Sequence, residues 1–267
     1  MRESFHVLHS NFSEDVRLSQ TVHQSESLPP NQTDPSEVGR EGILNWLSKN
    51  VPDARLHHIL RVEEMAFRLA RHHRLDEKRA AQAGLLHDLA KFFKPRRLLN
   101  MAKANKLELD PVEEANPHLL HAEIGAIVAR DKFGVRDEAV LQAVRNHTVG
   151  RPGMSPLCCV VFLADSLEPG RGDSSELDHL RQLSYQDLYR AVWYTCDYSL
   201  RHLVTSRHLI HPRAILTRNW AMQVARGKEG GEKKEEEETK GKKEEEKEKK
   251  GGKKGKSGGK RCCRIAG

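Results

Sequence analysis

Aromatic residues make up only 5% of this 267-residue chain, and no apolar stretch reaches the roughly 18 residues that a membrane-spanning helix needs. A transmembrane segment is therefore not expected. Cysteine is scarce and poorly spaced for cross-linking. Cys158, Cys159, Cys196, Cys262 and Cys263 form two adjacent pairs and a singleton, with no CxxC. This excludes a disulfide framework, and Cys158 and Cys159, inside the apolar run LCCVVFLAD, read as buried thiols. The N-terminus lacks a charged-then-apolar leader pattern, so a cytoplasmic location is expected. Period-two alternation, the mark of half-buried strands, is missing as well.

What remains is very polar, with a mean hydropathy of -0.69, and the polarity is concentrated at the ends. Residues 1–40 carry Asn, Gln, Ser and Pro without an apolar period. Residues 227–267 are almost entirely Lys, Glu and Gly. Neither segment buries enough apolar surface to offset the entropy of ordering its backbone, so both are expected to be disordered. Residues 41–226 hold nearly all the apolar side chains and form the expected folded domain. The net charge is +7, of which the tail supplies much, with 15 Lys and Arg against 10 Glu over 228–264. The basic bias of the core is modest and suits an anionic small molecule as well as nucleic acid. The tail is read as a solvated low-complexity arm in preference to a nucleic-acid-binding one.

Within the domain the apolar period is helical. From Asp53 to His73, Leu56, Ile59, Leu60, Val62, Met65, Ala66, Leu69 and Ala70 recur at spacings of three and four, with Asp53 as expected N-cap. A second helix is expected from Asp76 to Phe93, ended by Pro95, and a short one from Leu98 to Lys106. Further helices are expected from His118 to Phe133 and from Asp137 to about His147, with Gly134 as the stop between them. The run Pro156 to Leu167 contains Val160, Val161 and Phe162, which favour a strand. With no partner strand elsewhere, helix is the better reading. Tyr185 to Ser206 and Ile215 to Val224 complete the expected all-α bundle.

Several polar residues interrupt these apolar stretches. His87-Asp88 lies in AGLLHDLAK, and an HD dipeptide by itself means little. His58, His121, His147 and Asp165 each sit in a similar setting on a different expected helix. Burying so many polar groups is costly unless they satisfy one another or hold a metal. Imidazole and carboxylate together suit a borderline divalent ion.

The order His58, His87-Asp88, Asp165 resembles the HD-domain metal-dependent phosphohydrolases, and His121 and His147 resemble their dinuclear subgroup. The phrases RxxHxxRV, GLLHDLAK, LLHAxIGA, NHTxGRPGMS, LADxLEPGR and LIHPR are similar to the YqeK-type family of symmetrical diadenosine tetraphosphate hydrolases. The resemblance covers Ile43 to about Asn219. The resemblance implies an HD-domain helical bundle and a metal set of His58, His87, Asp88, His121, His147 and Asp165, with Asp88 bridging two ions. Iron is the implied native metal, with manganese or cobalt as alternatives. Ser166 stands where the family typically has tyrosine.

The implied reaction cleaves diadenosine tetraphosphate into two ADP with a metal-activated water, the metals lowering the water's pKa and holding the phosphates. Asp88, Lys91 and Arg151 are the expected catalytic residues. Lys91, Thr148, Arg151, Arg171 and His211 are the expected contacts to the polyphosphate substrate. His118, one turn before His121, is a candidate outer partner. A homodimer is compatible with the sequence. Two other readings stay open: a phosphohydrolase of another nucleotide, and a non-catalytic nucleotide- or RNA-binding module.

Overall fold

A computed structural model describes residues 39–227, so the expected disorder of both arms lies outside the described residues apart from their inner ends. The chain divides into two compact units, Met1–Met222 and Gln223–Gly267. Of the second unit only residues 223–227 are described, and they are helical. All residues discussed below belong to the first. Among the described residues every regular element is helical, as the missing alternation requires.

The helices are α1 (Arg40–Asn50), α2 (Asp53–His72), α3 (Glu77–Leu86), α4 (Pro95–Ala104), α5 (Pro111–Ala115), α6 (His121–Phe133), α7 (Glu138–Asn146), α8 (Pro156–Leu167), α9 (Ser175–Gln186) and α10 (Leu188–Thr205). A last helix, α11, begins at residue 212. Short 3-10 helical turns cover Pro117–Leu120 and Pro169–Arg171. None of the described helices is long and apolar enough to cross a membrane.

The apolar run of α8 is a helix, not a strand. Ser155 caps it by accepting from Cys158 N, Pro156 occupies its first turn, and Leu157 to Ala164 are all buried. A helix apolar on every side belongs at the centre of a bundle, and α2, α7 and α10 pack around α8. Asp165 is the first polar residue after that run, and so is delivered to the edge of the core. Helix α2 shows the narrower pattern. Its buried residues His58, Ile59, Val62, Met65, Ala66, Leu69 and Ala70 form one stripe, turned towards α3 and α8. Gly84 lets α3 approach this closely, because a Cβ there would fall 2.9 Å from Glu63 Cα and 3.1 Å from Val62 O.

Gly134 ends α6 in the left-handed region at φ 67°, as the sequence implies. Asp76 caps α3 by accepting from Arg79 N. Other expectations are corrected. Asp53 is the first helical residue of α2, and Pro52 is its N-cap. Helices α1, α5 and α9 lie in stretches that the apolar period leaves unassigned. The second expected helix stops at Leu86 instead of running to Phe93, so His87 and Asp88 lie on a following series of tight turns. These turns are closed by Leu89 N to Leu86 O at 3.2 Å, Lys91 N to Asp88 O at 3.0 Å and Phe93 N to Ala90 O at 3.1 Å.

Candidate metal centre

Where α3 stops, a side chain takes a main-chain carbonyl. His87 Nδ1 donates to Gly84 O at 2.7 Å, and this carbonyl is the one a continued α-helix would offer to Asp88 N. His147, the residue after α7, repeats the device with Val144 O at 2.7 Å, and His121, the first residue of α6, with His118 O at 2.5 Å. His118 is thus an outer partner through its main chain. A carbonyl only accepts, so each Nδ1 must carry the hydrogen. Each Nε2 is then the ring atom turned to the interior.

His58 achieves the same orientation differently. It lies inside α2, and its Nδ1 faces Glu168 Oε1 at 3.0 Å. Glu168 also accepts from Arg61 and, through Oε2, from Gly170 N at 2.6 Å. Burial pushes the Glu168 carboxyl up, but the hydrogen bonds from His58 and Arg61 outweigh it and hold the group down at about 2.

The four Nε2 atoms converge. His58 and His87 approach to 3.3 Å, and His121 and His147 to 3.0 Å. Asp88 lies among all four. Its Oδ2 is 3.4 Å from His87 and 3.9 Å from His58, while its Oδ1 is 3.4 Å from His121 and 3.8 Å from His147. Asp165 Oδ1 stands 3.1 Å from His58 and 3.7 Å from His87. The six residues singled out in the sequence are therefore brought together, although they come from five separate segments.

Three overlapping groups meet the spacing that a metal ion needs: His58, His87 and Asp88; His87, His147 and Asp165; and Asp88, His121 and His147. The donor chemistry fits a divalent ion. Burial drives the His147 imidazole down to about 4, and burial with the nearby Lys91 ammonium drives His121 well below its ordinary value. Two neutral rings with fixed tautomers thus face each other through nitrogen lone pairs, an arrangement that a cation relieves. Burial also opposes ionisation of Asp88 and Asp165. The His87 imidazole beside Asp88, and the Arg171 guanidinium beside Asp165, nevertheless hold both carboxyls well below the usual range. His87 moves the other way: burial pushes it down, and Asp88 more than offsets this.

Cations border the cluster. Lys91 Nζ is 3.5 Å from His121 Nε2. Arg171 donates through Nε to Asp165 O at 2.7 Å and pairs with the Asp165 carboxylate. Thr148 Oγ1 lies 3.0 Å from His147 Nε2 and 3.3 Å from His121 Nε2. Arg151 is exposed on its loop. His211 is buried against Glu113 at 3.4 Å, the glutamate that completes the capping box of α5. Three charged residues complete the surroundings without having been singled out in the sequence: Arg55, Arg61 and Glu168. Their signal was present in the spacing, because the two arginines flank His58 at three residues on either side and Glu168 follows Asp165 by three.

The family described as HD domain matches residues 55–170, which contain all six clustered residues. The symmetrical bis(5'-nucleosyl)-tetraphosphatase of Bacillus subtilis is 33% identical over 183 residues, covering 68% of this chain and 97% of that protein. Its namesake from Halalkalibacterium halodurans is 32% identical, over 68% of this chain and 96% of its own length. The crystal structure of a predicted HD superfamily hydrolase involved in NAD metabolism, from Clostridium acetobutylicum, superposes with a TM-score of 0.66 at 32% identity. It covers 68% of this chain and 96% of that one. The chain belongs to the HD-domain hydrolases, in the family of the symmetrical bis(5'-nucleosyl)-tetraphosphatases.

Proposed function

We propose that the protein hydrolyses diadenosine tetraphosphate at its central anhydride, giving two ADP. The names of its relatives support the substrate. The observation that carries the chemistry is the division of Asp88, whose Oδ2 faces His58 and His87 while Oδ1 faces His121 and His147. A carboxylate shared in this way suits two divalent ions, held by His58, His87, Asp88 and Asp165 on one side and by Asp88, His121 and His147 on the other. Iron is the proposed native metal, with manganese or cobalt as substitutes, since nitrogen and oxygen donors suit all three. Such ions, when bound, supply charge to phosphate oxygens and acidify a water.

The chain's own residues then position the substrate. The anhydride between the second and third phosphates breaks as water oxygen bonds to phosphorus and gives up a proton to solvent, and the leaving ADP carries away the bonding pair. Lys91 and Arg171 border the cluster and offset charge on the phosphates, and Thr148 offers a hydroxyl beside His121 and His147. Arg151, on its exposed loop, is proposed to hold the outer part of the polyphosphate. His211, expected to contact substrate, is buried beside Glu113 and braces α5 in this reading.

Hydrolysis of diadenosine tetraphosphate by metal-loaded protein, with product separation and an Asp88→Ala control, tests the reading. ADP alone, lost in the control, is the expected result. ATP with AMP would overturn the symmetrical cut. Absence of turnover with the metal bound would overturn the substrate.

A further inference from the structure

Three of the four converging histidines are oriented by main-chain carbonyls, and one is oriented by a charge. His87, His121 and His147 stand at helix junctions, where a carbonyl three residues back is available to Nδ1. His58 is inside α2, where the backbone groups are committed to the helix. Its Nδ1 meets Glu168 instead, a carboxylate only 1% exposed. Arg61, one turn further along α2, holds Glu168 from the same side, with Nη2 3.3 Å from Oε1 and a closer contact from Nε to Oε2. Gly170 admits this guanidinium, since a Cβ there would fall 2.3 Å from Arg61 Nη2.

A carboxylate acceptor leaves more electron density on an imidazole than a carbonyl does, and so makes the opposite nitrogen a stronger donor. We propose that Glu168, held by Arg61, is a positioning residue that makes His58 a stronger metal ligand than the other three histidines, so that its loss weakens one metal-binding step selectively. The proposal rests on the metal reading above. Glu168 does not touch substrate in this scheme. It acts through His58.

The test compares wild type, Glu168→Gln and Arg61→Gln by calorimetric titration of Mn²⁺ into metal-free protein, alongside thermal melting of the metal-free forms. Glu168→Gln should weaken one binding step about 10- to 100-fold and leave the other within about threefold. Hydrolysis should return towards the wild-type rate as Mn²⁺ is raised, which a folding defect would not allow. Arg61→Gln touches no proposed ligand and should shift the same step in the same direction by a smaller factor. It therefore carries the test if Glu168→Gln fails to fold. Unchanged affinities in both variants would overturn the proposal. So would equal weakening of every step with a lowered metal-free melting temperature, which marks a merely structural role. A wild type that binds Mn²⁺ while the variants match it sinks only this inference. A wild type that binds none sinks the metal reading and this inference with it.

Discussion

Arg55 donates through Nη1 to Asp88 Oδ2 at 2.9 Å, placing a cation from the first turn of α2 on the carboxylate that faces all four histidines. Asp88 is buried, so its charge depends on such partners. Replacing Arg55 with Gln should destabilise the metal-free protein by about 1–3 kcal/mol, since the arginine is partly exposed and its loss is less costly than that of a fully buried partner. Divalent ions on Asp88 would take over the compensation, so the Mn²⁺-loaded protein should lose clearly less. Chemical denaturation with and without Mn²⁺ measures both. Equal losses in the two forms would show that Arg55 does not share Asp88 with a metal.

Gly84 governs how closely α3 lies on α2, and its carbonyl also orients His87. A methyl group there meets main-chain atoms of Val62 and Glu63, which cannot rotate away. Gly84→Ala gains about 1 kcal/mol of helix propensity and should lose more than that to overpacking, for a net cost of about 1–2 kcal/mol. Because the displacement separates His87 from His58, metal affinity should fall together with stability. A variant that is destabilised but binds Mn²⁺ normally would mean that the turn after α3 adjusts independently.

Much of this arrangement was legible in the residues, and the illegible parts have physical causes. The central position of α8 follows from its unbroken apolar run, and the stop at Gly134 from the need for positive φ. The six clustered polar residues stood out because each interrupts a buried stretch. The early end of α3 was not readable from period, since the apolar spacing continues through Leu89 and Ala90. It coincides with the His87 imidazole taking a main-chain carbonyl, a contact that apolar period does not report. Helix α9 carries a weaker signal, three leucines at 177, 180 and 183 behind the Ser174 cap. Glu168 was not readable as the partner of His58, because the two are 110 positions apart and meet only when the C-terminal end of α8 packs on α2.

Cys196 lies in α10 with its thiol pushed up to about 12, chiefly by burial and further by Asp197. At pH 8 very little of it is thiolate, and the thiolate is the reactive form. Cys158 and Cys159 are buried too. Native protein treated with iodoacetamide at pH 8 should leave all three unmodified in peptide mass spectra, and denaturant should expose all three. Rapid native labelling of Cys196 would show that α10 opens locally, and would place that helix at the low end of the molecule's stability.

Arg151 combines an exposed side chain with an anchored backbone, and the two properties can be separated. Gly150 precedes it at φ 64°, where a Cβ would fall 2.5 Å from Thr217 Cγ2, and Thr217 Oγ1 donates to Val149 O at 2.9 Å. The loop is therefore pinned to α11 while the guanidinium points outward. Gly150→Ala should cost about 1–3 kcal/mol, because it strains the backbone and collides with Thr217. Arg151→Ala should change stability by less than about 0.5 kcal/mol, as an exposed side chain implies. If Arg151 holds the outer phosphates, its loss should raise KM for diadenosine tetraphosphate about tenfold, equivalent to about 1.4 kcal/mol of binding, with kcat little changed. A fall in kcat at constant KM would instead place Arg151 at the breaking anhydride, where its charge is felt mainly in the transition state.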